Sequence, residues 1–422
     1  MRKQLYSIAA ILFSAAIFIA GNGLIGTLIP VRARLAGFST DALGLIGSAY
    51  YVGFVAGCFA GPRLLARVGH SRTFAVCAGI AAATTLLQSI FVGAPVWIVM
   101  RAGFGFAAAS LYMVIESWLN DRAEASMRGR IFATYMTVNY ASMIVGQLLF
   151  ASNKPTSFTL FDLTAVLYAL CLIPVGLTLL PQPHAAQVPK LRPLRLYRIS
   201  PVGAVGCVAV GLANSALWAW APIFAQDHGL TRMWLSVFMG VLTLGGAAVQ
   251  LPLGRLSDGM DRRLVILGIC VASAALGVVM YLFAGRGAGV LLLLIGGFGV
   301  TALPFYGLAV AHANDRIPRE AFVEASATLL MINALAACFG PSLAALVIEH
   351  FGSAALFLYT AAIHLAMAAF VVVRIRMREA LIGETRDKFE VMPQQGSPAG
   401  LELDPRGGAE AGELVAAPAK IA

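Results

Sequence analysis

Charge is scarce in this chain. Only 12% of its 422 residues are Asp, Glu, Lys or Arg, about half the share found in soluble globular domains, and a water-soluble domain is thereby excluded. Lysine is scarcer still. None of Lys3, Lys154, Lys190, Lys388 or Lys420 follows a glycine, so the Gly-Lys of a phosphate-binding loop is absent and ATP-driven transport by this chain is excluded. The six cysteines (Cys58, Cys77, Cys171, Cys207, Cys270 and Cys338) show no CxxC spacing and all fall inside apolar runs. They read as small buried hydrophobes rather than metal ligands or disulfide partners. No paired carboxylates within a span, no His-x-x-x-His and no nucleophile elbow occurs, which leaves no basis for an intramembrane enzyme, a cofactor or a metal.

Apolar surface is abundant instead: 59% of residues are hydrophobic and the mean hydropathy is +0.82. A helical span needs about 20 apolar residues. Twelve such runs are expected, near 5–29, 42–62, 73–93, 96–118, 131–151, 162–180, 202–223, 233–253, 264–284, 288–311, 325–348 and 354–373. Their length excludes the short alternating strands of a barrel. Met1-Arg2-Lys3 ahead of the first run resembles a secretory signal, but the apolar core is too long and has no small-x-small cleavage site, so an uncleaved first span is expected. The net charge of +10 sits in short loops, so it reads as membrane topology rather than as a nucleic-acid partner. Arg and Lys number twenty in the amino terminus, alternate loops and the residues after span 12, against five in the other loops. That asymmetry predicts cytoplasmic termini in an inner or plasma membrane.

One stretch occurs twice, 194 residues apart: GFGFAAASLYMVIESWLNDR from Gly103 and GFGVTALPFYGLAVAHANDR from Gly297, with eight of twenty positions identical. Both copies are apolar and end in Asn-Asp-Arg, so both halves cross in the same sense and the unit contains an even number of spans. The fold class follows: an all-α polytopic membrane protein of twelve transmembrane helices in two six-helix repeats. Secondary transporters use this plan, with the substrate site between the halves. The domains are expected at 1–180 and 202–375, joined by a Pro- and Arg-rich cytoplasmic linker at 181–201. A tail at 376–422, rich in Gly, Pro, Ala and Glu, is expected to be disordered and dispensable.

The loop after span 8, GRLSDGMDRR, and its counterpart GPRLLARVGHSR resemble the signature of the major facilitator superfamily, G-x-x-x-D-R/K-x-G-x-R/K-R/K. Gly254, Asp258, Arg262 and Arg263 match in the second half; Arg67, Gly69 and Arg72 match in the first, where Ala66 replaces the aspartate. The resemblance implies the twelve-helix major facilitator fold, with these loops as gating latches in which a carboxylate meets basic groups and a helix end. Ala66 leaves the first latch without its acid. Arg101 with Gly105 is similar to the superfamily's R-x-x-x-G element. IESWLN from Ile115, RGR from Arg128, ATYM and VGQLL resemble the YcaD-like subgroup of transporters. Gly146-Gln147 stands where proton-coupled drug exporters have Gly-Pro, whereas Gly340-Pro341 occupies the sister place in span 11.

Residues charged in one half only are the better site candidates, because the scaffold is needed twice and a site once. Arg101 corresponds to Ile295 and Glu116 to Val310. A charge inside a span costs about 2.5–3.5 kcal/mol on insertion scales, so it has a partner or faces a wet cavity. Arg101 either snorkels outward or serves an anionic substrate group or a proton step. Glu116, about 22 Å farther along the helix, either pairs with Arg122, Arg128 or Arg130 or titrates in proton coupling. Tyr135, Asn139, Ser142 and Gly146 share one face of span 5, as a packing stripe or a polar cavity wall. Asn22, Asn214, Trp218, Tyr306 and Asn333 are isolated polar or aromatic groups within spans, and His364 reads as a packed core residue. The expected protein is a monomeric secondary transporter of a small organic solute, with protons as a candidate coupling ion. A membrane receptor or assembly factor is the alternative.

Overall fold

The computed structural model describes residues 2–122, 127–177, 183, 191–318, 321–377, 389, 391, 396 and 397. Twelve crossings are formed by α1 (Arg2–Leu35), α2 (Thr40–Val68), α3 (His70–Ile90), α4 (Ala94–Arg122), α5 (Arg128–Leu149), α6 with α7 (Thr159–Leu170, Leu172–Gly176), α9 (Pro201–Asp227), α10 (Arg232–Gly259), α11 (Arg262–Leu282), α12 with α13 (Ala288–Ala302, Phe305–Asn314), α14 with α15 (Phe322–Ala337, Gly340–Phe351) and α16 (Ala355–Met377). The short α8 (Pro193–Ile199) lies in the linker. Eleven of the crossings are long and apolar enough to span a membrane. The exception is α5, 22 residues long, which carries Thr134, Tyr135, Thr137, Asn139, Tyr140 and Ser142. It packs between α1 and α10, so protein contacts rather than composition hold it in the bundle.

An even number of crossings returns the chain to the side on which it starts. We call that side, with Val68, Arg122, Gly259 and Met377, the terminal end, and the side with Leu35, Ile90 and Asp227 the far end. Two helices that start at the far end, α2 and α10, are capped there by short hydroxyl residues, which satisfy first-turn N–H groups that otherwise lack partners. Ser39 accepts the Ala42 N–H of α2 at 3.3 Å and Thr231 the Trp234 N–H of α10 at 3.4 Å. Interruptions fall at prolines, which cannot donate to the preceding turn: α12 ends just before Pro304, and α14 ends before Gly340-Pro341. The sister crossing α4 has no proline in its interior and runs unbroken.

Packing repeats as the sequence does. Shifted by 194 residues, Ala94 falls on Ala288 and Arg128 on Phe322, the first residues of α12 and α14. The pairs α1·α5, α2·α4 and α3·α6 in the first half recur as α9·α14, α10·α12 and α11·α16. The halves meet at the far end, where Ser48 and Ser342 hydroxyls lie 2.8 Å apart and Arg34 reaches Asp227 at 3.2 Å. The linker is tied down rather than free: Leu196 is buried, and Arg192 pairs with Glu324 at 3.3 Å.

Of the glycines shared by both copies, one pair sits at close helix crossings. A Cβ on Gly105 would stand 2.0 Å from the Tyr50 carbonyl oxygen on α2, and one on Gly299 would stand 2.3 Å from that of Leu242 on α10. Neither backbone could yield without parting the helices, which is why small residues line such interfaces. Gly103 and Gly297, equally repeated, have room for a methyl. Gly103→Ala is therefore expected to keep or raise stability, since Ala is the better helix former by up to about 1 kcal/mol. Gly105→Ala is expected to lose about 1–3 kcal/mol through overpacking. Thermal melts of the two purified variants check this, and equal melting temperatures would contradict it.

Candidate functional site

Between the halves, on the far-end side of mid-bundle, lies a cavity enclosing about 830 Å³, counting the part open to solvent. It is walled by α1, α2, α4 and α5 of the first half and by α9 and α10 of the second. Among the described residues, Arg101 is the only charged residue lining it. Arg101 does not snorkel: it is 9% exposed, with its guanidinium carbon 4.9 Å from the Tyr50 ring centre and 5.1 Å from that of Phe104. Two aromatic faces thus stabilise the cation. Its Nε and Nη1 have no hydrogen-bond partner among the described residues.

Asn22, on α1, lines the same cavity and is held from two sides. The Tyr168 hydroxyl donates to its Oδ1 at 3.1 Å, and its Nδ2 donates to the Tyr112 hydroxyl at 3.3 Å. Phe18 packs edge-on against Tyr112, and Phe104 stacks at a tilt on Tyr168. The amide is therefore fixed in orientation by an aromatic frame. Gln147, which stands where a drug exporter would have proline, accepts the Thr243 hydroxyl at 3.0 Å and so links α5 to α10 across the cavity wall.

The terminal end holds a second polar cluster. Glu116 is fully buried one turn beyond Tyr112 on α4; its Oε1 accepts the Tyr135 hydroxyl at 3.1 Å. Asn139, a turn along α5, reaches Tyr135 in turn. On the polar face of span 5, Tyr135 meets Glu116, whereas Gly146 packs against the Ala20 carbonyl of α1. Of the sequence-expected residues, the structure unites Asn22 with Arg101 and Glu116 with Asn139. Tyr306 and Asn333 are buried in the second half and do not line the cavity. His364 is packed, bonded to the Thr360 carbonyl at 2.7 Å.

Sequence reasoning did not find Tyr50, Tyr51 and Phe104. Aromatics within apolar spans carry no periodic signal that separates a cavity wall from the core. The adjacent Tyr50-Tyr51 pair, with two hydroxyls in a membrane run, was the available hint.

This geometry belongs with a known family. The model of the Major Facilitator Superfamily matches residues 11–313 and 204–403. The chain is a member of the Major Facilitator Superfamily. The uncharacterized MFS-type transporter YcaD of Escherichia fergusonii is 24% identical over 359 residues, covering 85% of this chain and 91% of that protein. The nucleoside transporter NupG has the same fold at 14% identity, with a TM-score of 0.69 over 90% of this chain and all of that one. The D-xylose-proton symporter does so at 13% identity, with a TM-score of 0.67 over 87% of this chain and 96% of that one.

The superfamily's two signature loops now acquire a structural contrast. In the second, buried Arg262 opens α11 and joins Asp258 at 2.9 Å, Ser257 at 2.7 Å and Asp315 at 2.8 Å. Asp315 belongs to the repeated Asn-Asp-Arg triplet, so the triplet is the latch's receiving end as well as a loop. Arg263 closes on Asp261 at 2.8 Å. In the first, Gly69 adopts φ +81° to end α2, a conformation that favours glycine. His70, opening α3 as Arg262 opens α11, bonds Ser117 at 2.9 Å and stacks near Trp118. The first latch, without an aspartate at Ala66, includes a histidine–serine contact at this position. Arg67 and Arg72 flank that turn on α2 and α3.

The tail expected to be free is docked at its described positions. The Phe389 N–H donates to Asp258 at 3.0 Å, and its ring fills the space beside Gly254. Ser397 is buried and donates its N–H and hydroxyl to Glu116 Oε2 at 2.7 and 2.6 Å. The tail therefore ties the two halves together at the terminal end; the other residues after 377 lie outside those described. Its composition hid this, because two anchoring residues give no periodicity. Ending the chain at Gly383 removes both anchors and leaves a buried carboxylate short of donors, which costs about 1–3 kcal/mol. A melting temperature lowered by a few degrees is expected for the purified truncation. An unchanged melt would contradict the docking.

Proposed function

We propose that the protein is a secondary active transporter that moves a small organic solute by alternating access, with the Arg101 cavity as the solute's station. The observation that carries this reading is the placement of one cation, without an ion-pair partner among the described residues, in a cavity built by both halves. A site shared between two rigid halves changes the end to which it opens when they rock, whereas a site within one half would not. Superfamily membership makes the chain a multi-pass membrane protein of a transporter family, and the Arg/Lys asymmetry supports cytoplasmic termini. In that orientation the Ser48–Ser342 and Arg34–Asp227 contacts close the outer side. Glu116, Asn139 and the two latches would then form the inner gate, and protons are the coupling ion to test first because Glu116 is a buried carboxylate.

Arg101→Lys and Arg101→Ala separate a site from an anchor. Lysine keeps the charge but loses the planar fork of donors. In proteoliposomes supplied with a metabolite extract and analysed by mass spectrometry, the parent is expected to accumulate one or a few solutes against their gradient. Arg101→Ala is expected to reduce that flux by at least about tenfold, with Arg101→Lys well below the parent, since a lost buried charge-assisted hydrogen bond is worth about 1.5–3 kcal/mol. Both variants performing like the parent would contradict the assignment. Binding of a solute without flux in the parent would favour a receptor.

A further inference from the structure

The chemistry of the cavity narrows the class of solute. We infer that it takes a monoanionic carboxylate on a flat apolar body, an inference that rests on the transporter reading only for its consequence, since binding is testable alone. A guanidinium inside a membrane protein is held by a counter-charge, by hydrogen bonds or by water. Among the described residues Arg101 makes no ion pair and its Nε and Nη1 have no hydrogen-bond partner, and its compensation within the protein comes from the faces of Tyr50 and Phe104. The site is therefore built for an anion that arrives with the ligand.

The number of charges follows from the number of cations. With no lysine, histidine or second arginine in the lining among the described residues, one negative charge is neutralised and a second would be buried unpaired, which disfavours phosphate esters and dicarboxylates. A carboxylate matches the planar fork of donors. The body of the ligand follows from the walls. Tyr51, Phe104, Trp218, Ile46, Ile223 and Met239 offer apolar and aromatic faces, and ring faces favour flat partners. Asn22 and Gln147 are already engaged with Tyr112, Tyr168 and Thr243, so their amides are partly committed before the hydroxyls of a sugar could use them.

The test is thermal unfolding of the purified full chain with 2-naphthoate, its neutral analogue 2-naphthamide, and inorganic phosphate, each at millimolar concentration. A ligand that binds only the folded state raises the melting temperature by mass action. 2-Naphthoate is expected to raise it by several degrees, with little or no shift from the other two. Arg101→Met keeps an apolar side chain of similar length without the charge. It is expected to melt at or above the parent without ligand, because a buried cation compensated only by ring faces has been removed, and to show no shift with 2-naphthoate; Arg101→Lys is expected to weaken binding at least tenfold. Equal shifts from acid and amide, no shift from the acid, or a 2-naphthoate shift that persists in Arg101→Met would each overturn the inference, as would an Arg101→Met melt well below the parent. 2-Naphthoate binding with no flux of any carboxylate would sink the transport reading alone. Flux of neutral solutes without 2-naphthoate binding would sink this inference alone.

Discussion

A positive charge in the middle of an apolar bundle must be answered, and the surroundings of Arg101 are arranged around that requirement. Burial removes the water that would hydrate the guanidinium, and the protein supplies ring faces in place of a carboxylate. Partial compensation is the useful case. A full ion pair would close the site to an anionic solute, whereas a bare cation in lipid would be too costly for the helix to keep. Placing that cation against space shared by both halves ties its energetics to their relative position.

The scaffold around it is symmetric and the chemistry is not. Gly105 and Gly299 bring α4 and α12 equally close to their neighbours, and the two far-end caps, Ser39 and Thr231, start equivalent helices. Against this common frame, Arg101 has Ile295 at its sister position, Glu116 has Val310, and the aspartate latch of Arg262 has the His70–Ser117 contact as its counterpart. Duplication supplies the fold, and divergence of one copy supplies a site whose polar groups lie mainly in the first half. The second half contributes Ser215, Trp218 and Met239 to the cavity and the stronger charged latch at the terminal end.

Much of this was legible before any coordinates. Apolar runs of span length, their doubling at 194 residues and the charge of Arg101 rest on periodicity and cost, which a sequence displays directly. The boundaries were less legible where a helix runs on past its apolar stretch, as α1 does to Leu35, α2 to Val68 and α10 to Gly259. The aromatic walls were not legible, because Tyr50 on α2 and Phe104 on α4 acquire their meaning from the Arg101 guanidinium they flank. Nor was the docked tail, since Phe389 and Ser397 act as two isolated anchors with no repeating pattern between them. Gly103 and Gly105 looked alike as repeated glycines and differ only in what lies across the crossing.

The central claim is that one cavity, shared by both halves, opens in turn to each side of the membrane. Gly26 lines that cavity and has open space where a side chain would begin, so Gly26→Cys can report on it without distortion. In a chain whose six native cysteines are replaced, a membrane-impermeant thiol reagent is applied to sealed vesicles from one side and then from the other. The account predicts modification of Gly26→Cys from both sides, slowed by a solute that occupies the cavity. Modification from one side only, whatever solute or gradient is imposed, would contradict it.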